Sequence, residues 1–185
     1  MKKIIVSQEE ILKVSRKIIL EKGIKSLSMR QVASECNVAL GSIYNYFPSK
    51  ADLISTAIES IWAEIFEPFN NAEDFDSYTD CVESMFSVIL AGNLKYPGFF
   101  NIHSLNFSSE AMPKGKKAME KYFSHLSEKL FAALEKDAYV RSNAFSGALT
   151  QETFIEYTFT LLIAILLKQE KNCDSLIAMI KMCIY

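Results

Sequence analysis

Three serines, Ser7, Ser28 and Ser49, punctuate the first fifty residues, and each is followed three positions later by a side chain suited to the first turn of a helix: Glu10, Gln31 and Asp52. Ser7-Gln8-Glu9-Glu10 and Ser28-Met29-Arg30-Gln31 read as capping boxes, in which the serine oxygen accepts a backbone N–H and the third helical side chain reaches back. Ser49 caps a further helix that begins at Lys50. Stop signals fall between these starts. Gly23 suits the residue just past a helix end, Asn37 tolerates the positive φ of a tight turn, and Pro48 cannot continue a helix. Ile11, Leu12, Val14, Ile18 and Ile19 recur at helical spacing. The reading is one longer helix to Gly23, a short one from Ser28 to about Glu35, and a third over Ala39–Phe47. That is the outline of a helix-turn-helix.

On a wheel of 100° per residue, Ile43, Phe47 and Ala39 share one face of the third helix, which we assign to the core. Gly41 and Asn45 lie opposite, with Leu40 and Tyr44 to one side and Ser42 to the other. This outward face is small, polar and aromatic, and no Lys or Arg lies between Arg30 and Lys50. Gly41 would let the helix approach a surface closely. If that surface is a DNA major groove, Tyr44, Tyr46 and Lys50 supply phosphate contacts. Arg30 then suits guanine O6/N7, Asn45 suits adenine, and Ala39 or Leu40 suits a thymine methyl. A plain three-helix packing unit with surface tyrosines is the alternative.

Charge favours a polyanionic partner for the head. The net charge of −2 hides nine Lys/Arg against four Glu in residues 1–50, a net of +5, and a net of −7 in the remainder. A basic head on an acidic body points to binding of a polyanion by the head.

The run Ser28–Ala33, with Asn37-Val38-Ala39-Leu40-Gly41-Ser42-Ile43-Tyr44-Asn45-Tyr46-Phe47-Pro48-Ser49-Lys50-Ala51-Asp52-Leu53, resembles the DNA-binding domain of the TetR family of bacterial transcriptional regulators. One departure is Asn37, where the family often has Gly. The resemblance implies an all-α protein with two parts: a three-helix helix-turn-helix DNA-binding domain over 1–49, and a helical ligand-binding and dimerisation domain over 50–185. It implies that Arg30, Ala39, Leu40, Gly41 and Ser42 face bases, with Ser28 and Asn45 at the same surface, and that Tyr44, Tyr46 and Lys50 hold phosphates. The expected function is sequence-specific transcription regulation. The protein would be a repressor on a pseudo-palindromic double-stranded DNA operator, released by a small hydrophobic or aromatic effector. The alternative is a homologue that acts through a partner protein or a fixed operator without an inducer.

Beyond residue 50 the sequence stays helical. Leu53, Ala57, Ile58, Ile61, Trp62, Ile65 and Phe66 continue one helix until Pro68, and Tyr78, Val82, Met85 and Ile89 mark another ending near Gly92. Residues 99–115 read as a short helix plus loops, Lys116–Lys136 as a helix and Ala138–Leu149 as a loop. Thr150–Gln169 and Asp174–Met182 complete the series. Aromatic side chains concentrate here. Trp62, Phe66, Phe86, Phe99, Phe100, His103, Phe107, Tyr122, Phe123 and Tyr157 are candidates to line an apolar cavity.

The Thr150–Gln169 helix is apolar nearly all round, so it needs burial on more than one side. A subunit interface supplies the second partner, and a central core helix in a monomer is the alternative. By resemblance to the family's dimer bundle, Phe154, Phe159, Leu162, Ile163, Leu166, Ile177 and Ile180 are candidates for a homodimer contact. A two-fold dimer would present its heads to successive major grooves about 34–36 Å apart.

Other classes find little support. No nucleophile elbow, P-loop, dinucleotide fingerprint or HExxH motif is present, so an enzyme is not expected. The four cysteines form no C-x-x-C pair and lie far from a close histidine partner. No metal site or other cofactor is therefore expected, and the thiols fit a reducing cytosol. The apolar run before Ser7 is too short for a secretion signal, and the stretch near Phe154–Leu167 is too short to span a bilayer and carries Glu156. A cytoplasmic protein without a membrane partner is the expectation.

Overall fold

The computed structural model describes residues 6–71, 75–97 and 113–185, and for 113–123 the backbone alone. Helix α1 (Gln8–Lys22) begins with the expected capping box: Ser7 Oγ accepts the Glu10 N–H at 3.2 Å, and Glu10 Oε2 accepts the Ser7 N–H at 2.7 Å. Gly23 ends it at φ 77° and donates its N–H to the Ile19 carbonyl. Its ψ of 162° is extended, not left-handed helical, and a 3-10 turn over Ile24–Ser26 follows. Helix α2 (Met29–Glu35) starts under Ser28, whose Oγ accepts the Gln31 N–H at 3.2 Å. Asn37, at φ 53°, makes the turn into α3 (Leu40–Tyr44).

Helix α3 is shorter than the Ala39–Phe47 expected from the sequence. Ala39 is extended and serves as its N-cap. At the other end, the N–H groups of Tyr46 and Phe47 both turn to the Ile43 carbonyl, and Pro48 has no N–H with which to continue the ladder. The wheel placed Ala39 in the core. It is exposed, because a cap lies outside the regular step that the wheel assumes. Ile43 and Phe47 are buried as expected, with Ile11, Ile18, Leu27, Val32 and Leu53.

Helix α4 (Lys50–Asn70) starts under Ser49, whose hydroxyl donates to Asp52 Oδ2 and accepts the Asp52 N–H. It runs through Pro68, where the sequence placed its end. Pro68 withholds the N–H that would meet the Glu64 carbonyl and crowds that carbonyl, but only the last two residues of the helix follow it. The terminal carbonyls find a donor elsewhere, Lys129 Nζ donating to the Phe69 and Asn70 oxygens at 2.7 and 3.1 Å. Helix α5 (Tyr78–Lys95) likewise passes Gly92, which is buried against Ile65. Helices α6 (Pro113–Lys136), α7 (Gln151–Leu167) and α8 (Asp174–Ile184) follow, with Thr150 capping α7. Among the described residues every regular element is a helix.

Two compact units form. One holds residues 6–64, 93–97 and the start of α6; the other holds 65–71, 75–92 and 121–185. Helix α4 contributes to both, residues up to Glu64 to the first and from Ile65 to the second. In the second unit Phe69, Tyr78, Met85, Ile89, Leu130, Phe154 and Leu162 are buried. Asp137 is buried there too, and accepts the Tyr78 N–H at the start of α5, the Tyr139 N–H and the Tyr185 hydroxyl.

Candidate nucleic-acid interface

The surface of the head is set by what holds α3. Ile43 and Phe47 anchor it inward, which leaves Gly41, Tyr44 and Asn45 exposed and Leu40 and Ser42 half-buried. A Cβ added at Gly41 would meet nothing within 4 Å. Glycine is therefore not demanded by packing inside the chain, nor by its backbone, which is helical. Arg30 on α2 and Lys50 at the start of α4 are exposed and form no ion pair among the described residues. Ser28 has its oxygen engaged as the α2 cap, with its own proton left to donate.

Tyr44 is 47% exposed. Tyr46 is also exposed, but its hydroxyl donates to the Val6 carbonyl at 2.7 Å.

Not every base of the head faces outward. Arg16, the most enclosed of the ion-paired bases, binds Glu9 at 3.1 Å and Glu64 of α4 at 3.0 Å. The other Glu64 oxygen accepts from Lys95 Nζ and, at 3.1 Å, from the Tyr96 hydroxyl. Burial pushes the Glu64 carboxyl up, but these donors and the Lys95 and Arg16 charges outweigh it and hold the group below its ordinary value. Burial and the neighbouring Glu64 raise the Tyr96 hydroxyl to about 12. Cys36, at the end of α2, has its thiol raised by burial and by Glu10 and Glu35, which makes it a poor nucleophile.

The sequence missed Val6, Arg16 and Glu64 as parts of this unit. Glu9 and Arg16 share one face of α1, but they stand two turns apart, beyond the three- and four-residue spacings that signal a helical ion pair. Nothing local points from Tyr46 to Val6, forty positions away.

The candidate ligand-lining residues divide. Trp62, Phe66 and Phe86 are buried. Tyr157 is 57% exposed, because it falls on the side of α7 away from Ile155, Leu162 and Leu166. Phe99, Phe100, His103 and Phe107 lie outside the described residues, and so do the side chains of Tyr122 and Phe123. Of the dimer candidates, Phe154, Leu162, Leu166, Ile177 and Ile180 are buried within the chain itself, and Phe159 and Ile163 are half-buried. The apolar side chains that α7 and α8 leave open are Tyr157, Leu161, Leu167, Met179 and Met182.

A long first helix, two short helices across a tight turn and an outward α3 define the class: this is a helix-turn-helix protein. Residues 11–57 match the family model described as "Bacterial regulatory proteins, tetR family". Over those residues the head is similar to the DNA-binding part of that family. Over 112 residues it is 26% identical to the uncharacterized HTH-type transcriptional regulator YuxN of Bacillus subtilis, covering 58% of this chain but only 38% of that protein's length. The fold resembles BioQ solved with its double-stranded DNA operator, with a TM-score of 0.59 at 14% identity over 89% of this chain and 88% of that one. It also resembles FadR of Bacillus subtilis solved with stearoyl-CoA, with a TM-score of 0.59 at 14% identity over 93% and 92%.

Proposed function

We propose that this protein is a homodimeric, sequence-specific transcriptional regulator that binds double-stranded DNA through α3 and represses from its operator. A small hydrophobic or aromatic ligand bound in the helical body releases it. The observation that carries the reading is Gly41. Helix α3 is held from one side by Ile43 and Phe47, and its outer side carries a glycine with open space where a Cβ would be. Such a surface suits a groove wall that must come close. The exposed cations Arg30 and Lys50 flank it in sequence. BioQ, of like fold, was solved on its operator, and FadR with a lipophilic acyl-CoA. The coupling is linkage: a ligand that favours a head spacing unfit for the half-sites weakens DNA binding, and DNA weakens ligand binding by the same factor, on the order of 1–3 kcal/mol.

The test is selection of a random duplex library by the purified protein. A pseudo-palindromic motif with half-sites one or two helical turns apart is the expected outcome. Retention without a motif, or no retention, overturns it. On the selected duplex, Lys50→Ala weakens specific and random DNA alike and lowers the salt slope. Arg30→Ala or Asn45→Ala relaxes preference at one base position by about 1–3 kcal/mol.

A further inference from the structure

We infer that Tyr46 is a positioning residue for the recognition helix and not one of its phosphate anchors; this rests on the reading of α3 as the DNA-contacting element. A phenol carries one proton. Tyr46 donates it to the Val6 carbonyl at 2.7 Å. Phosphate oxygens only accept, so a tyrosine engaged in this way has nothing to donate to one.

The acceptor is well placed to transmit position. Val6 is buried, and it directly precedes Ser7, whose N–H and hydroxyl both engage Glu10 in the α1 capping box. The lead-in to α1 is thus held on one side by its own first turn and on the other by Tyr46. Tyr46 sits on the turn that closes α3, where its N–H binds the Ile43 carbonyl and its neighbour Phe47 is buried. The hydroxyl therefore joins the start of the first helix to the end of the third. Tyr44, two positions earlier and 47% exposed, is left as the tyrosine that meets phosphate.

The test uses the full chain and two conservative variants, Tyr46→Phe and Tyr44→Phe. Amide exchange of the free protein reads the clasp. Tyr46→Phe speeds exchange at Glu10 and Ile11 by about three- to tenfold, the range of one hydrogen bond, and Tyr44→Phe leaves them unchanged. DNA affinity of the folded variants, measured on duplexes carrying one neutral methylphosphonate at a time, reads the role. Both variants bind the unmodified duplex more weakly. One modified position abolishes the Tyr44→Phe loss, and no single position abolishes the Tyr46→Phe loss. Unchanged exchange in Tyr46→Phe, undiminished DNA affinity in Tyr46→Phe, or one phosphate whose neutralisation removes its loss would each overturn the inference. A wild-type chain that binds no DNA while Tyr46→Phe still speeds exchange would instead sink the regulator reading and leave the clasp in place.

Discussion

Two glycines show how one residue type answers opposite demands. Gly41 and Gly92 both lie inside helices, where glycine costs about 0.5–1 kcal/mol relative to alanine. At Gly92 the cause is internal. A Cβ there would come within 2.7 Å of Ile65 Cγ2, and Ile65 is a buried, β-branched side chain with little room to yield. Gly92→Ala is therefore expected to destabilise the protein by about 1–3 kcal/mol despite its better helix propensity, and Ile65→Val should recover part of that loss. At Gly41 nothing in the chain stands in the way. Gly41→Ala is expected to raise stability by about 0.5–1 kcal/mol in urea unfolding. Tighter folding together with weaker operator binding would identify a glycine kept for an outside surface. A variant that binds its operator as well as wild type would remove the argument for close approach.

At the scale of the element, the capped helix starts were legible, as were the ends at Gly23 and Glu35, but two later ends were not. A start is decided within four residues: Ser7 with Glu10, Ser28 with Gln31, Ser49 with Asp52 and Thr150 with Thr153 all form as local chemistry dictates. The ends at Pro68 and Gly92 were misjudged because partners far along the chain decide them, Lys129 in one case and Ile65 in the other. The candidate interface was legible for the same reason as the starts, since α2, the turn at Asn37 and α3 are contiguous. What ties them to other elements was not. The Arg16–Glu64 bond between α1 and α4 is such a tie, and it titrates. The Glu64 pKa is depressed in the folded state, so the ionised form is the one the fold favours. Its contribution is present above the ordinary carboxylate value of 4.5 and is lost as pH falls below it. Glu64→Gln should accordingly be less stable than wild type at neutral pH, and the gap should close between about pH 5 and pH 3. A gap that stays constant over that range would mean that shape, not charge, makes the tie.

At the scale of the whole molecule, the question is what covers the outer side of α7. Its apolar residues go all round, and among the described residues those buried lie on one side: Phe154, Ile155, Leu162 and Leu166. Tyr157, Leu161 and Leu167 stay open, as do Met179 and Met182 on α8, the helix that packs against α7. Scattered single apolar residues on a surface need no explanation, but a run on two packed helices does. A second copy of the same chain is the simplest cover, since a two-fold contact buries each patch against itself. It would also put two basic heads on one duplex. Adjacent residues separate this from plain core. Leu161 is 38% exposed and Leu162 only 1%. Leu162→Glu buries a charge without a partner and should unfold the second unit. Leu161→Glu should keep the wild-type melting behaviour in dilute solution, halve the mass seen by light scattering at micromolar concentration, and weaken binding to a two-half-site duplex far more than to a single half-site. Equal mass for wild type and Leu161→Glu would leave the open side of α7 uncovered by a second copy, and each head would then have to find its half-site alone.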